Sequence, residues 1–334
     1  MAAIDSNNPT LLDLARMKDP NGSPAKIIEL LNKRVDVLQD ITFMEGNLDT
    51  GHRSTVRTGL PEPTFTRLYQ RVQPTKGSTV QVEDTCAIME DYSEIAKNLA
   101  DISNNKAAYR LAEDAAHIEG FYQKTANAIF YDDEEVNPER MTGLAPRYNL
   151  TTADNGENIL DGAGSGSDNA SIWLVVWGPN TCHGIVPKGM SSGLEMKDLG
   201  EQTSETSDGL MQVYRTYFRM AAGLVLKDWR YVVRIANIDR SDLSTTWTSG
   251  AFSSGADITS LMFQATRQVP NLSAGRPVFY MDRSIETTMF QQASAKTGES
   301  TLQVQNVGGQ VLTTFLGIPI RRVDALAADE AHVL

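Results

Sequence analysis

NNKAAYRLAEDAAHIEGFYQKTANAIFY, residues 104–131, is the longest helical pattern in the chain. Its apolar positions recur at three- and four-residue spacing, no proline interrupts it, and only Gly120 weakens it. At about 1.5 Å per residue, such a helix is roughly 40 Å long. The pattern stops at the acidic run 132–135, before Asn137-Pro138, so we predict a strut helix laid across a sheet. Its apolar stripe consists of Leu111, Ala115, Ile118, Tyr122, Ala126 and Ile129.

Strand signals dominate the chain that follows this helix. Residues 151–171 have the glycine-rich composition of a surface loop, and 172–177 is a continuous apolar run typical of a buried strand. No repeat of 20 to 50 residues is present. The mixture predicts an α+β class with one long helix. Further strands are predicted at 213–220, 224–238 (with Trp229 and Tyr231 in its alternation), 277–281, 302–304 and 311–323, and helices at 258–265 and from a Ser284 cap to Lys296.

The first 45 residues are interrupted by Pro9, Pro20, Gly22 and Pro24. Ser23-Pro24, followed by spaced apolar residues up to Leu38, predicts one helix with Ser at the cap and Pro at its first position. We interpret the residues before it as an arm. Such an arm either packs on a neighbouring subunit or is a frayed terminus.

Residues 51–80 are basic in an acidic protein. This window carries five basic residues and one acid, Glu62, whereas the whole chain has a formal net charge of −12. Alternation over 65–73, a turn at 74–77 and alternation over 79–83 predict a long β-hairpin with no strongly apolar face. It is either a solvated hairpin or a projecting loop that lies on an acidic surface of another copy. The candidate contact residues are Arg53, Arg57, Arg67, Arg71 and Lys76.

Composition excludes several classes of protein. The 334 residues include 30 Lys+Arg and 42 Asp+Glu, and the longest apolar runs fall well short of the about 20 residues of a membrane helix. The start lacks the pattern of a secretory signal, and two distant cysteines provide no disulfide framework. We therefore expect a soluble protein made in a reducing compartment. The acidic balance argues against sequence-independent DNA binding.

No active site is evident in the sequence. Residues 189–193 fit the Gly-x-Ser-x-Gly elbow around Ser191, but Pro187 precedes it, no helical period follows, and His332 is the only later histidine. Glu113, Asp114 and His117 share a helical face, although such a face is usually simply charged. We expect no catalytic residue, no metal and no cofactor, and this absence favours a structural role.

The end of the chain carries the best match to a known family. A strand at 278–281, a helix from Ser284 to Lys296, the run Phe315–Ile320 and then Val323-Asp324 resemble the closing strand, helix and L-G-x-P-[IV] segment of tailed-bacteriophage major capsid proteins. These have the Hong Kong-type coat fold, and the group that this chain resembles comes from short-tailed phages. Shorter matches are Gly59-Leu60-Pro61, Ala128–Asp132, Thr142-Gly143-Leu144 and Trp229–Ile238.

The resemblance implies a division of the chain. It implies an N-terminal arm at 1–45, an extended loop at 46–90, a peripheral domain with the spine helix at 91–150, and a mainly axial mixed α/β domain with returning peripheral strands at 151–334. It further implies hexamers and pentamers that close an icosahedral shell around double-stranded DNA, inside a virion assembled in the bacterial cytoplasm. Portal, scaffolding and cement or decoration proteins are the implied partners, and the acidic wall would keep DNA from adhering.

Three alternatives remain open from the sequence. A nanocompartment shell protein has the same fold and would enclose a cargo protein. A tail or decoration protein fits the strut and arm poorly. A serine hydrolase would use Ser191.

Overall fold

The computed structural model of the protein describes residues 36–103, 105–190, 192–206, 209–248, 251–295, 302–307, 310–327 and 329–334. The helix predicted from Ser23 lies outside these residues except at its end, where Val37–Asp40 is helical. Ser191 also lies outside them.

The elements of the described residues are as follows. The α-helices are α1 (Val37–Asp40), α2 (Lys97–Ile102), α3 (Lys106–Tyr131), α4 (Leu144–Arg147), α5 (Ile258–Gln268) and α6 (Arg283–Ala295), and 3₁₀ turns lie at Gly156–Asn158, Trp229–Tyr231 and Leu272–Ala274. The strands are β1 (Phe43–Glu45), β2 (Gly51–Gly59), β3 (Ser78–Ala96), β4 (Ile159–Asp161), β5 (Asn169–Trp177), β6 (Cys182–Val186), β7 (Leu194–Thr206), β8 (Gly209–Leu226), β9 (Val232–Asp239), β10 (Trp247–Thr248), β11 (Ala251–Phe252), β12 (Arg276–Met281), β13 (Leu302–Val307), β14 (Gln310–Phe315) and β15 (Ile318–Arg322). The predicted mixed α and β class is confirmed.

One sheet runs through the molecule in the order β13-β14-β15-β12-β5-β6-β8-β3-β2, with β9 beside β5, β4 beside β9, β7 beside β8 and β1 beside β6. In the middle of the sheet, β5 pairs antiparallel with both β12 and β9. Towards the β2 end, β7, β8 and β3 form a long antiparallel ribbon, in which β3 pairs with β8 from Cys86↔Gly223 to Ala96↔Val213. The C-terminal half of α3 packs with β5, whereas an earlier part of α3 packs on the ribbon.

The central strand β5 is buried along its whole length. Alternate residues of a strand point to opposite faces, so its uninterrupted apolar run requires cover on both sides. Trp173, Val175 and Trp177 lie in one core with the C-terminal half of α3. Ile172 and Leu174 lie in a second core with α5 and α6. The sheet is therefore the middle of three layers. The apolar run at 172–177 is a buried strand, as predicted.

The long helix α3 confirms the predicted strut and begins two residues later than predicted. The Asn105 side chain caps it by accepting the Ala108 N–H at 3.1 Å. The predicted apolar stripe is correct for Ala126 and Ile129, which are buried, and wrong for Leu111 and Tyr122, which are exposed.

The physical reason is that the N-terminal half of α3 lies on the ribbon rather than on the core. Polar contacts hold it there: Arg110 pairs with Asp198 at 2.6 Å, and His117 Nδ1 lies 2.7 Å from an Asp91 carboxylate oxygen. The Phe121 ring contacts the Phe218 ring across the same surface. A helix held by such contacts needs no continuous apolar stripe, and Leu111 is left in water.

Three local predictions are wrong in detail. The strand predicted over 224–238 breaks at a 3₁₀ turn, because the Asp228 side chain accepts the Arg230 N–H and closes the turn. The strand predicted over 311–323 is a hairpin, because Leu316 (φ 50°) and Gly317 (φ 81°) form a tight turn between β14 and β15. The last helix begins at Arg283, and Asp282 rather than Ser284 caps it by accepting the Ser284 N–H at 2.9 Å.

Two buried charged clusters join segments that are distant in sequence. The Asp40 carboxylate receives Arg276 at 2.8 Å and Arg321 at 3.3 Å, which anchors α1 to the sheet. The Glu330 carboxylate receives Arg234 at 2.8 Å beneath the end of α3. None of the described helices is both long and apolar enough to pass through a membrane.

Candidate functional site

The segment predicted as the extended loop, residues 46–90, contains an unbroken exposed stretch at 60–83. Its root is an antiparallel pair in which β2 meets β3 from Gly51↔Thr85 to Gly59↔Ser78. Residues 60–77 form no strand, so the strand predicted over 65–73 is wrong. Pro61, Pro63 and Pro74 remove N–H donors that a ladder needs, and no apolar face holds the segment against a core. Every side chain from 60 to 80 is exposed.

The five predicted contact residues all lie on this loop, and four of them point their charges into solvent. Arg53 lies on β2 opposite Glu83 of β3 and pairs with it at 2.8 Å, so its charge is compensated within the hairpin. The other four make no ion pair with the described part of the chain: Arg57, Arg67, Arg71 and Lys76. The loop therefore presents uncompensated positive charge.

The root of the loop is buried and polar. The Asp84 carboxylate is buried and receives Arg147 of α4 at 2.7 Å. Next to it the His52 and His183 rings meet edge to face with centroids 5.9 Å apart, and His183 is fully buried. Burial, with help from the Lys227 charge, lowers the pKa of His183 to about 4, and burial also lowers the pKa of His52. Both imidazoles are therefore neutral at physiological pH, which avoids two buried like charges beneath the loop.

A groove runs between α3 and β3 on the body of the subunit, with a volume of about 780 Å³. Ala87, Met89, Phe121 and Met141 contribute apolar surface to it. Its charged lining residues are the acids Glu90, Asp91, Asp132 and Glu139 and the bases Lys124 and Arg140. The groove therefore combines apolar lining with an excess of negative charge.

Contacts within the subunit occupy part of this lining. Asp132 pairs with Arg140 at 2.9 Å, and Tyr217 donates its hydroxyl to Glu90 at 2.6 Å. Glu139 makes no ion pair among the described residues. Some of the negative charge remains available to a partner.

The candidate metal ligands Glu113, Asp114 and His117 lie on α3, whereas Ser191 lies outside the described residues. The described residues contain no cluster of three or more histidine, cysteine or acidic side chains arranged for a metal ion. Asp114 is buried and receives the Thr216 hydroxyl, while His117 contacts Asp91. Asp114 therefore lies inside the subunit rather than on a solvated charged face of α3.

The buried polar root of the loop was not found from the sequence. His52 on β2, Asp84 on β3 and His183 on β6 come together only through the order β6-β8-β3-β2 of the sheet, and nothing local in the sequence predicts that order. The three prolines could have indicated that 60–77 is not a strand, because proline interrupts a ladder.

Comparisons with known proteins agree with one another. A family model described as major capsid protein GP7 matches residues 19–334. The chain is similar to the bacteriophage Epsilon15 structure, with 32% identity, a TM-score of 0.79 and complete coverage of both chains. No curated protein matches.

More distant structures are also similar in part. A bacteriophage JBD30 capsid chain has 10% identity and a TM-score of 0.46, over 95% of this chain and 99% of that one. An encapsulin from Synechococcus elongatus has 8% identity and a TM-score of 0.43, over 69% of this chain and 95% of that one.

Proposed function

The chain belongs to the family of major capsid proteins described as GP7, and on that premise we propose how its copies build a shell. The family is one of structural proteins of the virion and not of enzymes, so the hydrolase alternative at Ser191 is set aside. The protein assembles with itself into an icosahedral capsid. We propose hexamers and pentamers as its building units, with phage double-stranded DNA enclosed.

The extended loop is proposed to hold one subunit on the next. What supports this is the combination of an uncompensated cationic loop and an acidic body: the charge is positive over 51–80, while the whole chain is −12. A loop without regular structure adapts to the different angles between neighbours in a closed shell better than a rigid patch does. Repetition of one weak contact around a ring then gives a strong assembly.

The domain division follows the same proposal. We assign 1–45 to an arm, 46–90 to the extended loop, 91–150 to a peripheral domain and 151–334 to a mainly axial domain with returning peripheral strands. The ribbon of β7 and β8 beneath α3 supports the last part, because these strands come from the later segment and pack on the peripheral helix.

The remaining partners are proposals from the family alone. We propose that assembly takes place in the bacterial cytoplasm, with a portal and scaffolding protein and, in the mature particle, cement or decoration proteins. The net negative charge supports a wall that encloses DNA without binding it, because like charges repel and no counterions are released on contact.

Charge reversal on the loop tests the proposed contact. The double variant Arg67→Glu and Arg71→Glu is expected to remain folded, because both side chains are exposed, but to lose shell assembly through repulsion from the acidic neighbour. Negative-stain microscopy and sedimentation velocity measure closed shells against free subunits. Lys188→Glu is the matched control, since Lys188 is an exposed base outside the loop.

The dependence of shell assembly on salt concentration tests whether the loop contact is electrostatic. Wild-type assembly through exposed charges weakens as ionic strength rises, because the Debye length falls from about 10 Å at 0.1 M to about 3 Å at 1 M. Shells formed equally well by the reversed loop would contradict the proposed contact. A purified chain that stays monomeric under all conditions would contradict the shell-forming mechanism itself.

A further inference from the structure

The loop between β4 and β5 brings two carboxylates together at the end of β9. We call residues 162–168 the glycine loop. Its last residue, Asp168, and Asp239 share the Ser241 N–H, which lies 3.0 Å from Asp168 Oδ2 and 3.1 Å from Asp239 Oδ1. The Ser241 hydroxyl also donates to Asp239 Oδ1 at 2.9 Å. Because they share one donor, the two carboxylates lie side by side.

The backbone of the glycine loop lies directly against this pair. A Cβ at Gly166 would lie 2.3 Å from Asp239 Oδ2 and 3.1 Å from Asp168 Oδ1, so only glycine lets the loop approach both oxygens this closely. Every backbone N–H and serine hydroxyl that reaches Asp239 in the described chain meets Oδ1. The second oxygen, Oδ2, therefore faces the loop without such a donor.

No base compensates the two carboxylates within the described residues. Arg240, which follows Asp239 in the chain, pairs with Asp282 at 3.7 Å instead. Hydrogen bonds, above all from the Ser241 hydroxyl, lower the pKa of Asp239, so its carboxyl is ionised at neutral pH. Neighbouring carboxylates repel each other when both are ionised, and a cation bound between them removes this repulsion.

A buried amide oxygen lies at the same place. Asn169 is 1% exposed, and its Oδ1 has no hydrogen-bond partner in the described part of the chain. Its Nδ2 donates to the Gly166 carbonyl at 2.9 Å, which holds the amide against the glycine loop. In the register of β5 on β9, Asn169 stands opposite Asp239, so both side chains project from the same face of the sheet. A buried acceptor without a donor is unfavourable, and a cation satisfies it.

We propose that Asp168, Asp239 and Asn169 form a calcium site together with carbonyl oxygens of the glycine loop. Calcium takes about six to eight oxygen ligands from carboxylates, side-chain amides and backbone carbonyls, and it tolerates irregular geometry. Two carboxylates are therefore enough when neutral oxygens complete the shell. Magnesium demands a near-ideal octahedron at shorter distances, which an irregular loop does not provide.

The bound ion would join the glycine loop to the end of β9. Since the ligands include only two carboxylates, we expect weak binding, with a Kd of about 0.1–1 mM. The site departs from the expectation, drawn from the sequence, that the chain holds no metal. It does not depend on the proposed shell function.

Calcium chloride added to the full-length unassembled subunit tests the site. In about 0.15 M NaCl, which screens diffuse attraction to the acidic chain, isothermal titration calorimetry is expected to show one saturable ion per chain. At about 10 mM calcium, Tm should rise by about 2–4 °C relative to the same protein in EDTA. Magnesium chloride at the same concentration should raise Tm by less than about half as much.

Substitution of a proposed ligand shows where the ion binds. Asp239→Asn keeps the shape of the side chain and removes its charge, so Kd should rise about tenfold or more and the shift in Tm should disappear. Asp168→Asn should act in the same way. Asp154→Asn is the matched control, because Asp154 is an exposed aspartate outside the glycine loop, and its Kd should change less than about twofold. Circular dichroism in EDTA checks that all three variants are folded.

Three results would overturn the site. Heat that does not saturate near one ion per chain, or a calcium response of Asp239→Asn equal to that of the wild type, would show only diffuse attraction to an acidic protein. A Tm of Asp239→Asn lowered equally in calcium and in EDTA would give this carboxylate a structural role without an ion. An equal response to magnesium would overturn calcium as the ligand. All three results leave the proposed shell function untouched.

Discussion

Breaking the buried ion pair between Arg234 and Glu330 should be among the most damaging single changes in the described part of the chain. Both side chains are 5% exposed, and their charged atoms are 2.8 Å apart. The Glu330 carboxylate also accepts the hydroxyls of Ser171 and Tyr131. Glu330→Leu would remove the acceptor of all three donors and leave a buried guanidinium without its counterion.

The expected loss in the free energy of unfolding follows from the burial of this ion pair. Loss of one partner of a buried pair costs about 3–5 kcal/mol, mostly through the unpaired charge. Arg234 keeps the Tyr148 carbonyl at 2.7 Å and the Ser171 hydroxyl at 3.0 Å, so we expect about 3–4 kcal/mol for Glu330→Leu. Arg234→Met together with Glu330→Leu should cost much less than the sum of the single changes, because no charge is then stranded.

The assay is urea unfolding of the full-length unassembled subunit, followed by tryptophan fluorescence. Trp173 is fully buried and its ring lies 5.1 Å from the Arg234 guanidinium, so its emission reports on this region. Arg53→Met, which breaks an exposed pair, should change the free energy of unfolding by no measurable amount. A cost below about 1 kcal/mol for Glu330→Leu, or strictly additive single changes, would refute the reasoning.

Three further predictions concern titration, turn strain and thiol chemistry. Burial lowers the pKa of His183 to about 4, so as pH falls this histidine is protonated in the unfolded chain before it is protonated in the folded one. The free energy of unfolding should therefore decline between about pH 6.5 and about pH 4, by at most ~3 kcal/mol. In urea unfolding measured against pH, His183→Phe should flatten this decline. Leu316→Asn should raise the free energy of unfolding by about 1 kcal/mol, since asparagine tolerates φ near 50° better than leucine. Burial raises the pKa of the Cys86 thiol to about 11 and that of Cys182 to about 12, so neither thiol of the native subunit should react with iodoacetamide near neutral pH, as mass spectrometry would record.

Each of these three predictions can be contradicted by a specific result. An unchanged pH profile in His183→Phe would show that this imidazole does not titrate on unfolding. Destabilisation by Leu316→Asn would mean that the exposed leucine makes a contact in the subunit worth more than the strain. Rapid labelling of Cys86 at neutral pH would place its thiol in a more polar setting than its half-buried position indicates.

Local patterns in the sequence predict many of the helices and strands. The three- and four-residue spacing before Asp132 predicts α3, because a helix satisfies its hydrogen bonds within a few residues of chain. The continuous apolar run at 172–177 predicts a strand covered on both faces. The basic composition of 51–80 distinguished this segment from the acidic remainder of the chain, since charge is read directly from the residues.

The long-range arrangement was decided by the tertiary structure. Leu111 is exposed and Asp114 buried because α3 crosses a polar ribbon before it reaches the core, and spacing alone does not reveal what a helix will lie on. The three prolines of 60–77 already indicate in the sequence that this segment is not a strand, whereas the register of β2 on β3 at its root depends on the tertiary structure.

The whole chain was nevertheless enough to determine the α+β class, the strut helix and the unusual charge of one loop. Only the folded molecule brought Arg234 to Glu330 across 96 residues and His52 beside His183 at the loop root. The reason is that periodicity and composition report on short-range hydrogen bonding and on transfer from water. Buried charges and neighbouring strands depend instead on which distant segments the sheet places side by side.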